Sequence, residues 1–180
     1  MVKSILEYNR QFVENKEYEK YQAGKYPEKK LAILSCMDTR LTELLPAALG
    51  IKDGDAKIIK NAGAVITHPF GSVVRSLLVA IVELGVENVM VIGHTDCGVQ
   101  HIDADLILGH LKQRGISMEQ IEMLKYAGVD FEKWLCGFNT IRESVEETVK
   151  TLKEHPLIPK DVNIYGYIMD TKTGELYPVA

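Results

Sequence analysis

Hydrophobic positions along the chain follow two periods. Val2, Ile5, Leu6, Phe12 and Val13 recur three or four apart around Asn9, while Lys3, Glu7, Arg10, Glu14 and Lys16 occupy the other side. That spacing predicts an amphipathic helix over residues 2–13. Such a helix must lie on something, either its own domain or a partner subunit, and the pattern favours neither. Tyr18 to Lys30 is polar, holds Gly24 and Pro27, and is read as a loop. Two apolar runs, Leu31-Ala32-Ile33-Leu34 and Val89-Met90-Val91-Ile92, predict buried strands over 31–36 and 88–93. Lys57–Lys60 and Val162–Met169 predict two more, and Glu175–Val179 a short antiparallel edge where Pro178 is tolerated.

Helical patterns separate these strands. Leu41 to Leu49 predicts one, with Pro46 near its first turn and Gly50 or Gly54 ending it. Phe70 to Leu84 is apolar over most of its surface, as in a helix covered on several sides, and Gly85 follows. Phe138 to His155 puts Ile141, Val145, Val149 and Leu152 on one face and is closed by Pro156 and Pro159. Between 99 and 137 the pattern breaks up; helices are expected over His101–Lys112 and Ser117–Tyr126, the second with a Ser117/Gln120 capping box.

Alternating strands and helices predict an α/β fold, because parallel neighbours need crossover connections. The expected architecture is a mainly parallel β-sheet flanked by helices, with an antiparallel C-terminal edge strand and an N-terminal helical arm. One domain is expected over residues 1–180, with 1–30 as arm and loop and 31–180 as the α/β core. There is no repeat, low-complexity segment or linker.

Composition narrows the function classes. A chain 46% hydrophobic and 26% charged, with net charge -4, has the balance of a globular protein, and no basic stripe suggests nucleic acid. The lysines from Lys25 to Lys30 are read as a solvated loop. The longest apolar run, Leu77 to Val82, is too short to span a bilayer, and residues after Met1 show no signal-peptide core. The expected location is the cytoplasm, where three cysteines serve as metal ligands or buried thiols rather than disulfides.

Chemistry gathers at two strand tips. The first strand ends in Ser35-Cys36-Met37-Asp38-Thr39-Arg40 and the third in His94-Thr95-Asp96-Cys97-Gly98. Two thiolates and one imidazole suit zinc, and three donors instead of four leave a coordination position for chemistry. Ligands of open α/β sheets collect at such carboxyl ends, near a reversal of strand order. Arg40 can hold the Asp38 carboxylate ionised and in one orientation; alternatively, Asp38 swings onto the metal and blocks it. Asp96 has no partner beside it in sequence and is read as a helix cap or a loop hydrogen-bonder. Asn61-Ala62-Gly63-Ala64 is a turn of small residues where backbone can approach a ligand.

Cys36-x-Asp38-x-Arg40 followed by His94-x-x-Cys97 resembles the signature of the β-class carbonic anhydrases, in their short archaeal and bacterial branch. The resemblance runs through Asn61-Ala62-Gly63 and covers Leu31 to Gly98 well. It implies zinc held by Cys36, His94 and Cys97, with Asp38 as a further ligand only in a closed form. It implies that Arg40 draws Asp38 off the metal, and that zinc-bound hydroxide attacks carbon dioxide to give bicarbonate. It also implies a homodimer or larger assembly with N-terminal helices packed across it, and neither nucleic acid nor membrane as partner. Gly63, Val65 and Gly98 are candidate substrate contacts, with Ile66 and Val99 as further lining. Two departures stand out: Ala64 where the family commonly has a second glycine, and Thr39 where Ser or Ala is common. Relatives of this fold hydrolyse carbon disulfide or carbonyl sulfide, and a non-catalytic zinc protein closed by Asp38 is a further alternative.

The remaining reactive residues have plainer readings. His68 is a lesser candidate for a proton shuttle. His101 and His110 are expected on a helix surface, His155 at a helix C-terminus, and Cys136 in a buried, inert position. Arg75, interrupting an apolar helix, is expected to pair with a carboxylate, within the chain or across a dimer.

Overall fold

The computed structural model describes residues 1–180 as a five-stranded sheet with seven helices. The strands are β1 (Leu31–Cys36), β2 (Ala56–Asn61), β3 (Asn88–His94), β4 (Asn163–Met169) and β5 (Leu176–Pro178). Their order is β2-β1-β3-β4-β5; β5 alone runs antiparallel, against β4. The helices are α1 (Val2–Glu14), α2 (Leu41–Ala48), α3 (Ser72–Val82), α4 (Ala104–Gln113), α5 (Met118–Tyr126), α6 (Phe131–Leu135) and α7 (Ile141–Glu154).

Side chains of a strand alternate between faces, so each strand feeds two cores. Ala32, Val89, Val91 and Ile164 face Leu77 and Ile81 of α3 and Val145, Val149 and Leu152 of α7. Ile33, Ile92 and Met169 face the other way, onto Leu41 and Leu45 of α2. Cys36 and Cys97 belong to this second core. The β1 and β3 runs are apolar throughout because both of their faces are covered.

Close approach of α7 needs two residues without side chains. A Cβ at Gly93 would lie 2.8 Å from Val145 Cγ2 and 2.9 Å from Ile141 Cγ2, and one at Gly166 2.8 Å from Val145 Cγ1.

Several expectations change at element ends. Helix α3 starts at Ser72, leaving Phe70 exposed before it. Helix α7 starts at Ile141 because Thr140 caps it, its hydroxyl accepting from the Glu143 N–H. Phe138 instead pairs with Gln100 in an isolated parallel bridge. Pro46 sits inside α2, beyond its first turn. Helix α6, capped by Asp130, was hidden in the broken pattern, and a 3-10 turn over Glu17–Tyr21 interrupts the expected loop. The Ser117/Gln120 capping box forms as expected.

Helix α1 buries none of its residues. It does not lie on its own domain; Phe12 stacks on Tyr21 just after it, with ring centroids 6.0 Å apart.

Gly93→Ala should lower unfolding stability by about 1–3 kcal/mol, because the added methyl must push α7 away from β3. Urea denaturation followed by circular dichroism measures this; unchanged stability would mean that α7 shifts freely.

Candidate metal centre

From β1 the sheet grows on one side to β2 and on the other to β3, so strand order reverses between β1 and β3. Ligand sites of open α/β sheets form at this kind of crevice. The register pairs Ser35 with Ile92, which brings the carboxyl ends of β1 and β3 level. Cys36 ends the first strand and His94 the second. Asp96 then adopts φ 55, and the left-handed turn brings Cys97 back over Cys36. The two sulfurs lie 3.9 Å apart, and they and a ring nitrogen of His94 all fall within 4.8 Å of one another.

This set fits zinc on three grounds. Tetrahedral coordination with Zn–S near 2.3 Å requires sulfurs about 3.8 Å apart. His94 Nδ1 donates to the Thr95 carbonyl at 2.9 Å, so the other nitrogen, Nε2, carries the free lone pair. Nε2 is buried without any hydrogen-bond partner, which is costly unless something electropositive meets it.

The three donors perturb one another. The Cys97 S–H lowers the Cys36 pKa against the effect of burial, helped by His94, the Gly63 N–H and the Asp38 main chain. The same sulfur contact raises Cys97, since one proton is shared between two thiols, and burial raises it further. Burial opposes charging of His94, yet Cys36, the Thr95 carbonyl and Asp38 together raise its pKa. A divalent cation would balance this arrangement.

Gly63 reaches Cys36 through a turn braced by Asn61. The Asn61 side chain donates to the Val65 carbonyl at 2.6 Å and accepts from the Val65 N–H at 3.2 Å. Within that clamp Gly63 adopts φ 87, and its N–H donates to Cys36 Sγ at 3.3 Å. Ala64 takes φ 58, the left-handed conformation a glycine would accept freely, at a cost of about 1–2 kcal/mol. The alanine therefore keeps the turn that a second glycine would make.

Arg40 joins the two loops. Its Nε donates to Asp38 Oδ1 at 2.9 Å and its Nη2 to Asp38 Oδ2 at 2.8 Å, a bidentate fork. Its Nη1 donates to Asp96 Oδ2 at 2.8 Å and Nη2 to the Asp96 carbonyl at 2.7 Å. Asp96 is thus a second carboxylate on Arg40, and no helix follows for it to cap. Sequence reasoning missed the pair because its members lie 56 positions apart. The Arg40 hydrogen bonds hold the Asp38 carboxyl well below the usual range. Because the folded value lies below the unfolded one near about 4, the pairing stabilises the fold above that pH. Its contribution is lost as the pH falls through the lowered folded value.

Beside the cluster runs a groove of about 450 Å³. Val65, Ile66, Val99 and Phe138 line it together with polar residues of α7. Val65, Val99 and Phe138 also stand over Gly63, which is itself buried. Gly98 is exposed, with open space where a side chain would project.

Other reactive residues lie elsewhere. Cys136 is exposed, and Gly137 after it donates to the Ile102 carbonyl at 2.7 Å. His101 precedes α4 in a loop at φ 62, and His110 is exposed on α4. His155 does end α7, but it is buried and its Nε2 meets the Pro69 carbonyl at 2.8 Å. His68 is exposed, with Nδ1 accepting from the Phe70 N–H. Arg75 is exposed on α3, and no carboxylate of this chain reaches it.

Residues 31–176 match the profile of a family described as "Carbonic anhydrase". The chain is 53% identical over 176 residues to a Bacillus subtilis (strain 168) protein named "Putative carbonic anhydrase YtiB", covering 98% of this chain and 94% of that one. It is 34% identical to a carbon disulfide hydrolase of Acidithiobacillus thiooxidans, covering 87% and 80%. Among solved structures, a β-carbonic anhydrase isoform I of Trichomonas vaginalis superposes with TM-score 0.90 at 34% identity, over 99% of this chain and 97% of that one.

Purified protein should carry about one zinc per chain by elemental mass spectrometry. Cys36→Ala and Cys97→Ala should fall well below that ratio, whereas Cys136→Ser should keep it. Equal zinc in all four preparations would place the metal elsewhere.

Proposed function

The chain belongs to the β-carbonic anhydrase family, and we propose that it catalyses the zinc-dependent, reversible hydration of carbon dioxide to bicarbonate. The observation that carries this reading is the convergence of Cys36, His94 and Cys97 at the strand-order reversal. When bound, zinc supplies Lewis acidity that brings the pKa of water down towards about 7, giving a nucleophile at neutral pH.

The chain's own residues do the rest. Cys36 and Cys97 would hold the ion as thiolates, and His94 would hold it through Nε2. The Gly63 N–H tempers the charge on Cys36 Sγ and keeps that ligand in place. Asp38 orients the proton of the attacking water. Its Oδ1 already accepts from the Arg40 N–H and Nε–H, whereas Oδ2 accepts from Nη2 alone and lies 3.9 Å from His94 Nε2. Oδ2 is therefore the oxygen with a lone pair to spare. Val65 and Val99, which line the groove, give the small, uncharged substrate an apolar wall and limit water beside it; Gly63, whose N–H serves Cys36 Sγ, and the exposed Gly98 are the main-chain contacts of this reading.

Helix α1 lies across a second copy in this reading, which makes the protein a homodimer or larger. Val2, Ile5, Leu6 and Val13 are each more than half exposed in the single chain. A cytoplasmic location fits ligands that must stay as reduced thiols. No helix is long and apolar enough to cross a membrane. Carbon disulfide is the competing substrate, supported by the similarity to the Acidithiobacillus thiooxidans hydrolase.

Stopped-flow hydration by the zinc-loaded protein should rise between about pH 6.5 and 9. Asp38 is not the titrating group, since its carboxyl stays ionised across that range. Asp38→Ala should keep its zinc and lose about tenfold or more in rate. Hydration no faster than buffer, together with hydrogen sulfide release from carbon disulfide, would transfer the assignment to the competing reaction.

A further inference from the structure

We propose that Asp96 is a positioning residue: it fixes the Arg40 guanidinium, and Arg40 thereby holds the Asp38 carboxylate clear of the three metal donors. The proposal rests on the carbon dioxide hydratase reading and adds a residue to it.

The Asp38–Arg40 fork cannot anchor itself. Both partners sit on one short loop, two residues apart, so the fork by itself fixes neither side chain relative to the opposite loop. The contacts that tie the guanidinium to the opposite loop come from Asp96, through its Oδ2 at 2.8 Å and its carbonyl at 2.7 Å. Asp96 lies directly before the ligand Cys97, so the anchor and the ligand move with the same turn. The donors are divided without competition at the carboxylates: Nε and Nη2 serve Asp38, and Nη1 serves Asp96 Oδ2. With its guanidinium held at both ends, Arg40 keeps Asp38 Oδ2 at 3.9 Å from His94 Nε2. Without the Asp96 carboxylate, only the carbonyl contact ties the guanidinium to that loop, and the Arg40 and Asp38 side chains can tip together towards the donors, into the position that an incoming anion or water needs.

The contribution is geometric more than electrostatic. The Asp96 side chain is 86% exposed, so solvent screens its charge. An uncharged acceptor in the same place should serve as well. Asp96 also adopts φ 55, which Asn and Gly accept readily and alanine does not. Asp96→Gly therefore removes the carboxylate without backbone strain, and Asp96→Asn keeps an acceptor oxygen for Nη1.

The test uses cobalt(II)-substituted full-length protein titrated with azide and read by visible absorption, alongside metal content and thermal midpoint. Asp96→Gly and Asp96→Ala should bind azide about threefold more weakly than wild type, at full metal loading. Asp96→Asn should match wild type. Wild-type azide affinity in both Gly and Ala variants overturns the proposal, as does an Asn variant as weak as the Gly variant. Lower metal content or thermal midpoint with unchanged azide affinity per loaded site also overturns it, since that is what a purely structural residue would give. Should wild type fail to hydrate carbon dioxide, the assigned reaction falls, while the azide series still decides the role of Asp96.

Discussion

Everything at this site depends on burying two thiols and an unpartnered imidazole nitrogen at adjacent strand tips. An interior that folds for stability alone avoids such a group: sulfur against sulfur at 3.9 Å, and a ring nitrogen with no donor facing it. The parallel pairing of β1 with β3 imposes the arrangement, since register alone sets Cys36 beside the end of β3. Covering the sheet on both faces keeps solvent from satisfying the nitrogen. The fold thus spends part of its interior on a cluster of soft donors that a divalent cation would complete.

Around that pocket the loops are tied to each other more than to the core. Asn61 clamps the turn that brings Gly63 to Cys36, and Arg40 bridges the tips of β1 and β3. Lys60 adds a third tie, donating to the Cys36 and Leu41 carbonyls at 3.3 Å each. Burial lowers its pKa, with Cys36 and Asp38 acting in the opposite sense. The loop carrying Asp38 and Arg40 is therefore pinned at both ends by Lys60 and at its guanidinium by Asp96.

The cluster was legible in the sequence because Cys36 and His94 each end an apolar run, and Cys97 lies one tight turn beyond the second. The parallel sheet, the antiparallel edge and the capped helix after Ser117 were legible for the same local reasons. Asp96 was not: its partner is distant in sequence, and no periodicity marks an ion pair across a crevice. Cys136 was expected to be buried because Trp134 and Phe138 flank it, yet Trp134 is itself exposed at the end of α6. Helix α6 was lost because five residues give too little periodicity to see.

The segment that resisted reading is also where substrate choice must be made. Carbon dioxide and carbon disulfide are both linear and uncharged, so three ligands and a carboxylate have little by which to tell them apart. Discrimination by size falls to apolar walls, where one methylene is worth only about 1–3 kcal/mol. In the proposed site those walls would be Val65, Val99 and Phe138, which stand over Gly63. Phe138 is held over Gly63 because its carbonyl accepts from the His101 N–H at 3.1 Å while Gln100 Nε2 reaches the Asn139 carbonyl at 2.8 Å. The stretch that follows Cys97 and the one that precedes α7 are thus fastened to each other directly beside the metal ligands. Variation in this stretch can change which triatomic molecule fits without disturbing the Cys36, His94 and Cys97 cluster.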